Sequence, residues 1–196
     1  MNITADFIQR TAYCGEITPN QTGESLTVNG WVAVSRDLGG LIFVEVRDRT
    51  GLIQLVSDPQ KNPEVHEILA SLRSEDVITA TGPVSLRPDE TINPNLATGK
   101  VEIYPTQVQV LTRAKTPPFL PDNAEEVDEN VRMKYRYIDL RSPFMQKNIA
   151  MRHQITTAAR SYLNQNRFLE IETPILIKTT PEGARDYLVP SRVHPG

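Results

Sequence analysis

The chain has 196 residues, of which 39% are hydrophobic and 23% are charged, and its formal net charge is -3. This length predicts one full domain and part of a second. No segment approaches the roughly 20 continuous apolar residues of a membrane span, and residues 1–10 lack the basic and apolar blocks of a signal peptide. With only Cys14 and three histidines, neither an internal disulfide nor a cysteine-rich zinc site can be assembled. The composition therefore predicts a cytoplasmic protein without a membrane partner.

The charge is divided unevenly along the chain. Residues 1–113 hold nine Lys and Arg against fourteen Asp and Glu, whereas residues 114–196 hold twelve against ten. An acidic first part cannot attract a polyanion such as RNA through its overall field. If this part binds nucleic acid, it must do so with a shaped local site.

Three stretches near the start of the chain alternate apolar and polar residues, which is the pattern of half-buried strands. In the second stretch, Ile42, Val44 and Val46 share one face, as they would in an extended strand. Polar and glycine-containing turns separate the three, which is typical of an antiparallel meander. The predicted strands are SLTVNGWVAV (25–34), LIFVEVRD (41–48) and LIQLVS (52–57).

A short helix and two further strands complete this first part. Asn62 followed by Pro63 has the pattern of a helix start, and apolar residues at helical spacing follow. Two strands are predicted around 77–86 and 101–111. Five strands with a helix between the third and the fourth is the order expected of an OB-fold, a partly closed barrel whose face and loops bind single-stranded nucleic acid.

The second predicted strand carries a candidate binding face opposite its apolar side. This face presents Phe43, Glu45 and Arg47, and Trp31 points away from the core side of the first strand. A ring, an acid and a guanidinium are suited to stacking on an unpaired base and bonding its edge. The same pattern also fits a solvated strand face with one exposed aromatic residue, so the residues alone leave both interpretations open.

The periodicity changes beyond residue 113. Residues 114–130 are rich in proline and then in acids, which predicts an interdomain linker. A short helix is predicted near 131–138, and a long one from the N-cap Ser142 to about Asn166. The stretch 168–176 then has the pattern of a strand, interrupted by a proline where a ladder donor would be missing.

Four segments in one order carry a family resemblance that covers nearly the whole chain. Together they resemble the bacterial-type aspartyl-tRNA synthetases, which are class IIb ligases, although the first segment alone also resembles the asparaginyl and lysyl enzymes. The segments are GWVAVSRDLGGLIFVEVRDRTGLIQLV (30–56), KYRYIDLR (134–141), FLEIETPIL (168–176) and TPEGARDYLVPSRV (180–193).

The resemblance implies a two-part architecture. Residues 1–113 would form an all-β, five-stranded OB-fold barrel that binds the anticodon, and residues 114–130 would form the linker. Residues 131–196 would form the incomplete beginning of an α+β class II aminoacyl-tRNA synthetase catalytic domain, with motif 1 and the amino-acid-binding loop.

The resemblance also implies residues that contact the anticodon of tRNA(Asp). Phe43 would stack on an anticodon base, Arg36 and Gln54 would bond base edges, and Glu102 would contribute to the same site. Leu38 stands where relatives that also charge tRNA(Asn) often carry histidine, which favours strict use of tRNA(Asp).

Fewer residues of the catalytic domain can be assigned. Glu182 would bind the α-amino group of aspartate, and the neighbouring Gly183 would let that loop close. Pro174 would lie in the motif 1 interface of a homodimer. No catalytic and no metal-binding residue is assigned, because the groups that bind ATP and Mg²⁺ in the family lie beyond the position of Gly196, and no GxxxxGK[ST] loop replaces them.

These inferences predict an N-terminal portion of an aspartate–tRNA ligase, the enzyme that uses ATP to attach aspartate to tRNA(Asp) through aspartyl-adenylate. The portion would bind the anticodon and would lack the ATP site. Two alternatives remain open at this point: a stand-alone OB-fold RNA-binding protein derived from a synthetase, and an asparaginyl or lysyl enzyme of the same subclass.

Overall fold

The computed structural model describes residues 8–178, 187 and 189–193. The chain forms two compact units, one up to Ile149 and the other from Ala150. All the strands of the described residues belong to the first unit. These units are groups of residues in mutual contact, whereas the limits predicted from the sequence separate functional domains. The predicted limits stay a prediction.

A closed ring of strands forms the centre of the first unit. The spatial order is β1, β2, β3, β5 and β4, and β4 pairs back with β1, so that five strands close on themselves. The sixth strand pairs with the first half of β4. The strands are β1 Ser25–Leu38, β2 Leu41–Arg47, β3 Leu52–Ser57, β4 Val77–Leu86, β5 Val101–Ile103 and β6 Gln107–Thr112. This closed sheet, with a helix between its third and fourth strands, confirms the predicted fold class.

Alternation along the strands fills the ring. The apolar residues that the sequence placed on one face of β2 point inward, and Val44 and Val46 are completely buried. The helix α1, Pro63–Ala70, packs Val65 and Leu69 against the same core, and its Asn62 cap accepts a 3.2 Å hydrogen bond from the Val65 N–H. The core therefore consists of every second side chain of each strand, and the side chains between them form the outer face.

The last predicted strand is wrong in one respect, because 101–111 forms two strands. Pro105 lacks an N–H group, and the chain turns at Tyr104–Thr106 instead of continuing the ladder. The turn lies flat on β4, where the Tyr104 N–H donates to the Pro83 carbonyl at 3.1 Å. Gly82 permits this approach, since a Cβ there would lie 2.2 Å from the Tyr104 carbonyl oxygen.

The segment predicted as a linker has a small core of its own. Phe119, Ala124 and Ile138 are buried together, with Val127 and Tyr135 packed against them. The helices around this core are a short 3-10 helix Pro121–Glu126, α2 Glu129–Lys134 and α3 Arg136–Asp139, and α3 lies beyond the predicted linker. Part of the segment predicted as a linker is therefore helical, and its role as a linker stays a prediction.

Two neighbouring acids attach this segment to the ring. The buried carboxylate of Glu75 accepts from Arg47 of β2 at 2.6 Å and from Arg141, just after α3, at 2.7 Å. Next to it, Asp76 accepts from the Ala114 N–H at 2.7 Å and from the Arg113 side chain at 2.8 Å. Removing one donor from a buried carboxylate leaves its charge uncompensated, which is strongly destabilising. These hydrogen bonds therefore fix the place at which the segment leaves the ring.

The helix α4, Pro143–Gln165, confirms the predicted long helix, and the Ser142 hydroxyl accepts from the Met145 N–H at 3.3 Å as an N-cap. The strand predicted at 168–176 is absent, because no described segment pairs with it and an unpaired strand has no ladder. In this unit, Arg160 instead holds Glu170 through a bidentate ion pair. None of the described helices is long and apolar enough to span a membrane.

Replacing Asp76 by Asn tests how much its carboxylate contributes. Burial alone would raise the pKa of Asp76, but hydrogen bonds from the N–H groups of Ala114 and Arg73 and from the Arg113 side chain hold that pKa below its ordinary value. A carboxyl group of this kind stabilises the fold above its unfolded-state pKa of about 3.9, and the stabilisation is lost as the pH falls through the lower folded-state pKa. We therefore expect Asp76→Asn to lower the free energy of unfolding at neutral pH and the difference from wild type to shrink in acid.

Urea unfolding followed by the fluorescence of Trp31 measures this difference at the two pH values. Asp89→Asn is the matched control, because Asp89 is exposed in a short 3-10 helix away from these bonds. The control should leave the free energy of unfolding unchanged. A difference between Asp76→Asn and wild type that is equally large in acid would contradict the role given to the ionised carboxylate.

Candidate nucleic-acid interface

The outer face of the ring brings the predicted anticodon residues together. Arg36 of β1 lies opposite Phe43 of β2, and Glu45 of β2 lies opposite Gln54 of β3. Directly opposed residues of antiparallel strands share a face, so these four side chains form one patch. Glu102 of β5 joins it through a hydrogen bond in which Gln54 Nε2 donates to its carboxylate at 2.9 Å.

Glu102 organises the centre of this patch. The residue is only 4% exposed, and its second oxygen accepts from the Tyr104 hydroxyl at 2.9 Å. Burial, and after it the Glu102 hydrogen bond and charge, raise the pKa of Tyr104 to about 12. Both carboxylate oxygens are therefore in use, and Glu102 fixes the orientation of Gln54 and Tyr104.

Arg87, at the end of β4, is a residue of this site that the sequence reasoning missed. Its Nε donates to the Val101 carbonyl at 3.0 Å and lies 3.9 Å from Glu102 Oε2. Burial lowers the pKa of Arg87, and the nearby charges of Glu102 and Glu45 partly oppose that shift. Within the described part of the chain, the buried Nη2 of Arg87 has no hydrogen-bond partner. A buried donor without a partner is unusual, and here it sits behind the polar patch.

Arg36 is the exposed member of the patch, whereas Phe43, Glu45 and Gln54 are half-buried. The Arg36 side chain is 58% exposed and lies 3.8 Å from Glu45, and the Phe43 ring is half-buried. Arg47 follows Phe43 and Glu45 on the same side of β2, but it is buried and bound to Glu75. The expectation that Arg47 faces an unpaired base is therefore wrong, because its ion pair with Glu75 draws it into the protein.

The patch presents the kinds of group that stack on an unpaired base and bond its edge. Phe43 offers an apolar face, Arg36 offers guanidinium donors, and the Gln54 amide offers a free oxygen and its second N–H. All three are held by strands of the closed ring, and Gln54 is also held by Glu102. The arrangement suits single-stranded nucleic acid, whose bases are open on their edges and faces.

The predicted residues of the catalytic part are less well represented. Glu182 and Gly183 lie outside the described residues, so their roles stay predictions. Pro174 is exposed and lies in no strand. Within residues 8–178, 187 and 189–193, no group of three His, Cys, Asp or Glu side chains could hold a metal ion. No step of a reaction is assigned to these residues.

Two protein families match successive parts of the chain. Residues 26–111 match the family described as OB-fold nucleic acid binding domain, and residues 128–196 match tRNA synthetases class II (D, K and N). Asparaginyl-tRNA synthetase from Pyrococcus horikoshii, solved with asparaginyl-adenylate, is similar over 90% of this chain and 39% of its own, with a TM-score of 0.76 and 25% identity. Fold and sequence thus define a class II aminoacyl-tRNA synthetase of the subclass with an N-terminal OB-fold.

Similarity to curated proteins narrows the assignment. The aspartate–tRNA ligase of Bacillus licheniformis is 55% identical over 95% of this chain, and the aspartate–tRNA(Asp/Asn) ligase of Bacillus subtilis strain 168 is equally similar. The chain belongs to the aspartate–tRNA ligase family. It spans 32% of the length of each of these two relatives. Because relatives of both names match equally well, the prediction of strict tRNA(Asp) use from Leu38 stays untested.

Replacing Glu102 by Gln tests its contact with Tyr104. We expect the pKa of Tyr104 to fall from about 12 towards its ordinary value, while remaining above it, because burial persists after the carboxylate is removed. Alkaline titration of tyrosine ionisation by absorbance measures the change, and Tyr104→Phe identifies which tyrosine is responsible. If Glu102→Gln left the last tyrosine ionisation where it is in wild type, the hydrogen bond would not exist in solution.

Proposed function

We propose that this protein acts as an aspartate–tRNA ligase and that its OB-fold reads the anticodon of tRNA(Asp). The reaction joins aspartate to ATP as aspartyl-adenylate and then esterifies the 3′ end of the tRNA. Support comes from 55% identity to an aspartate–tRNA ligase over 95% of this chain. The single structural observation that carries the proposal is the patch of Arg36, Phe43 and Gln54, held ready by Glu102 on the outer face of the ring.

The proposed anticodon site works by stacking and edge recognition. A base on the Phe43 ring would leave its edge within reach of Gln54 and Arg36, which lie on the neighbouring strands. The planar guanidinium of Arg36 donates in a fixed geometry, while the amide of Gln54 both donates and accepts. Unpaired anticodon bases are suited to such a site, because their edges are not occupied by a partner strand.

The same proposal covers the partners of the whole enzyme. Glu182 and Gly183 would bind and enclose aspartate, and ATP would bind together with Mg²⁺. Exposed apolar side chains on α4, among them Ile155 and Tyr162, support burial of this helix against a second subunit or further chain. A homodimer with Pro174 at its interface, in the cytoplasm, is part of the proposal.

The Phe43 ring is the sharpest test of the anticodon site. We expect Phe43→Ala to weaken binding of an RNA hairpin carrying the tRNA(Asp) anticodon loop by about 1–3 kcal/mol, which is the contribution of one stacked base. Fluorescence anisotropy at fixed salt measures the affinity, and Phe43→Tyr should bind nearly as well as wild type because it keeps the ring.

Tyr137→Ala is the matched control for losing an aromatic side chain. Tyr137 is 64% exposed in α3 and lies outside the ring, so its removal should leave hairpin affinity unchanged. Equal affinities of wild type and Phe43→Ala for the hairpin would sink the assignment of the anticodon face.

A second experiment separates binding from ligation. The 196-residue chain should bind the hairpin yet show no aspartate-dependent exchange of pyrophosphate into ATP, because it spans only 32% of the length of the aspartate–tRNA ligases that it matches. A complete relative assayed in parallel, such as the Bacillus subtilis enzyme, provides the positive control. Robust exchange by the 196-residue chain alone would show that adenylate formation needs no further residues.

A further inference from the structure

A second concave site lies beside the proposed anticodon patch and is lined by none of the patch residues Arg36, Phe43, Gln54 and Glu102. It is a pocket of about 210 Å³ between the β3–α1 connection and the β5–β6 turn. Its apolar walls include Val56, Pro83, Tyr104 and Pro105, and Lys61 lies at its edge. Its volume exceeds that of a few waters, and its walls are mostly carbon, with Lys61 and Asp58 as the two charged residues of the lining.

The pocket continues the row of side chains that contains Phe43. Val56 of β3 lies directly opposite Phe43 of β2. Leu55 pairs in parallel with Ile103, so the residues that follow them, Val56 and Tyr104, also lie side by side. Adjacent strands are about 4.8 Å apart, so Tyr104 lies about 10 Å from Phe43 across the face. The Tyr104 hydroxyl also reaches Glu102, the acid that holds Gln54. A nucleic acid strand crossing Phe43 would therefore meet this pocket next.

Hydrogen bonds hold the walls of the pocket in place. The Thr106 N–H donates to the Thr81 carbonyl at 2.8 Å, which fixes the turn that carries Tyr104. Asn62, the cap of α1, donates from its side chain to the Thr106 carbonyl at 3.3 Å and so ties the opposite wall to that turn. A site whose walls are already fixed loses little conformational entropy when it is occupied.

The chemistry of the pocket fits one nucleotide. The Lys61 ammonium lies 5.1 Å from the centre of the Tyr104 ring and, across the described residues, forms no ion pair with a carboxylate. Apolar walls accept the face of any base, and the Lys61 ammonium attracts a phosphate by direct contact. Asp58 also lines the pocket and opposes this attraction, so the phosphate must lie on the Lys61 side. OB-folds also engage roughly 4–16 nucleotides, which is more than the three bases of an anticodon.

We propose that this pocket binds the nucleotide flanking the anticodon in the RNA loop, with its base against Tyr104 and its phosphate at Lys61. The inference rests on the proposed anticodon function and extends the RNA site by one nucleotide beyond the Phe43 patch. Because the walls offer few free donors and acceptors, this subsite adds affinity with little dependence on which base occupies it.

The phosphate contact is tested by the salt dependence of hairpin binding. Losing one phosphate contact to single-stranded RNA reduces the slope of log K against log salt concentration by about 0.7. We expect Lys61→Met to show this reduction, while Lys115→Met, which removes an exposed lysine after β6, keeps the wild-type slope. A purely structural role for Lys61 would lower affinity without changing the slope, and an unchanged slope overturns the phosphate contact.

The base contact is tested by combining Tyr104→Ala with hairpins that are abasic at the nucleotide on either side of the anticodon. One of the two abasic hairpins should bind wild type about fivefold or more weakly, as loss of a stacked base implies, and should bind Tyr104→Ala with no further loss. If the two losses are additive for both hairpins, the pocket does not hold a flanking base. Failure of the anticodon proposal itself is distinguishable, because Phe43→Ala would then bind the intact hairpin as wild type does.

Discussion

The parallel pairing of β3 with β5, at Leu55 and Ile103, is the contact on which the rest of this structure depends. It closes the ring, and it is the one parallel contact among the strands of the described residues. Its register places Gln54 beside Glu102 and Val56 beside Tyr104 on the outer face. Since a slip of one residue would turn each side chain to the opposite face, the core and the candidate site are set by the same register.

Closure also explains how an acidic unit can offer a surface to RNA. Asp48, Glu75, Asp76 and Glu102 are all buried, and each accepts hydrogen bonds from backbone N–H groups or side-chain donors. Donors inside the protein therefore compensate these charges, because a buried carboxylate without a partner would be destabilising. Arg47 and Arg87 are buried as well, so burial removes four acids and two bases and lowers the excess of acids along residues 1–113 from five to three. The exposed Arg36 and Lys61 are among the bases that remain at the surface.

The sequence predicted whatever depends on local periodicity. Alternation in β2 was enough to place Phe43 and Glu45 outward, and the cap at Asn62 was enough to start α1. The same alternation misjudged Arg47, because its partner Glu75 lies 28 residues further along the chain. Tyr104 and Arg87 were missed for a related reason. Both lie in the site because they contact Glu102, and closure of the ring brings Glu102 beside Gln54. The strand expected at 168–176 failed because a strand needs a partner that no local pattern can provide.

The orientation of Gln54 shows what such long-range contacts add to recognition. An isolated glutamine amide can present either its oxygen or its nitrogen to a base, so it distinguishes poorly between donors and acceptors. The two carboxyl oxygens of Glu102 accept from Gln54 Nε2 and from the Tyr104 hydroxyl, each at 2.9 Å, so the nitrogen of the Gln54 amide faces Glu102. The amide oxygen is then the atom turned away from Glu102, available to a base that carries a donor on its edge. A buried acid that never touches RNA can in this way determine which base edge the strand face prefers, because turning the amide over would leave the carboxylate without its partner.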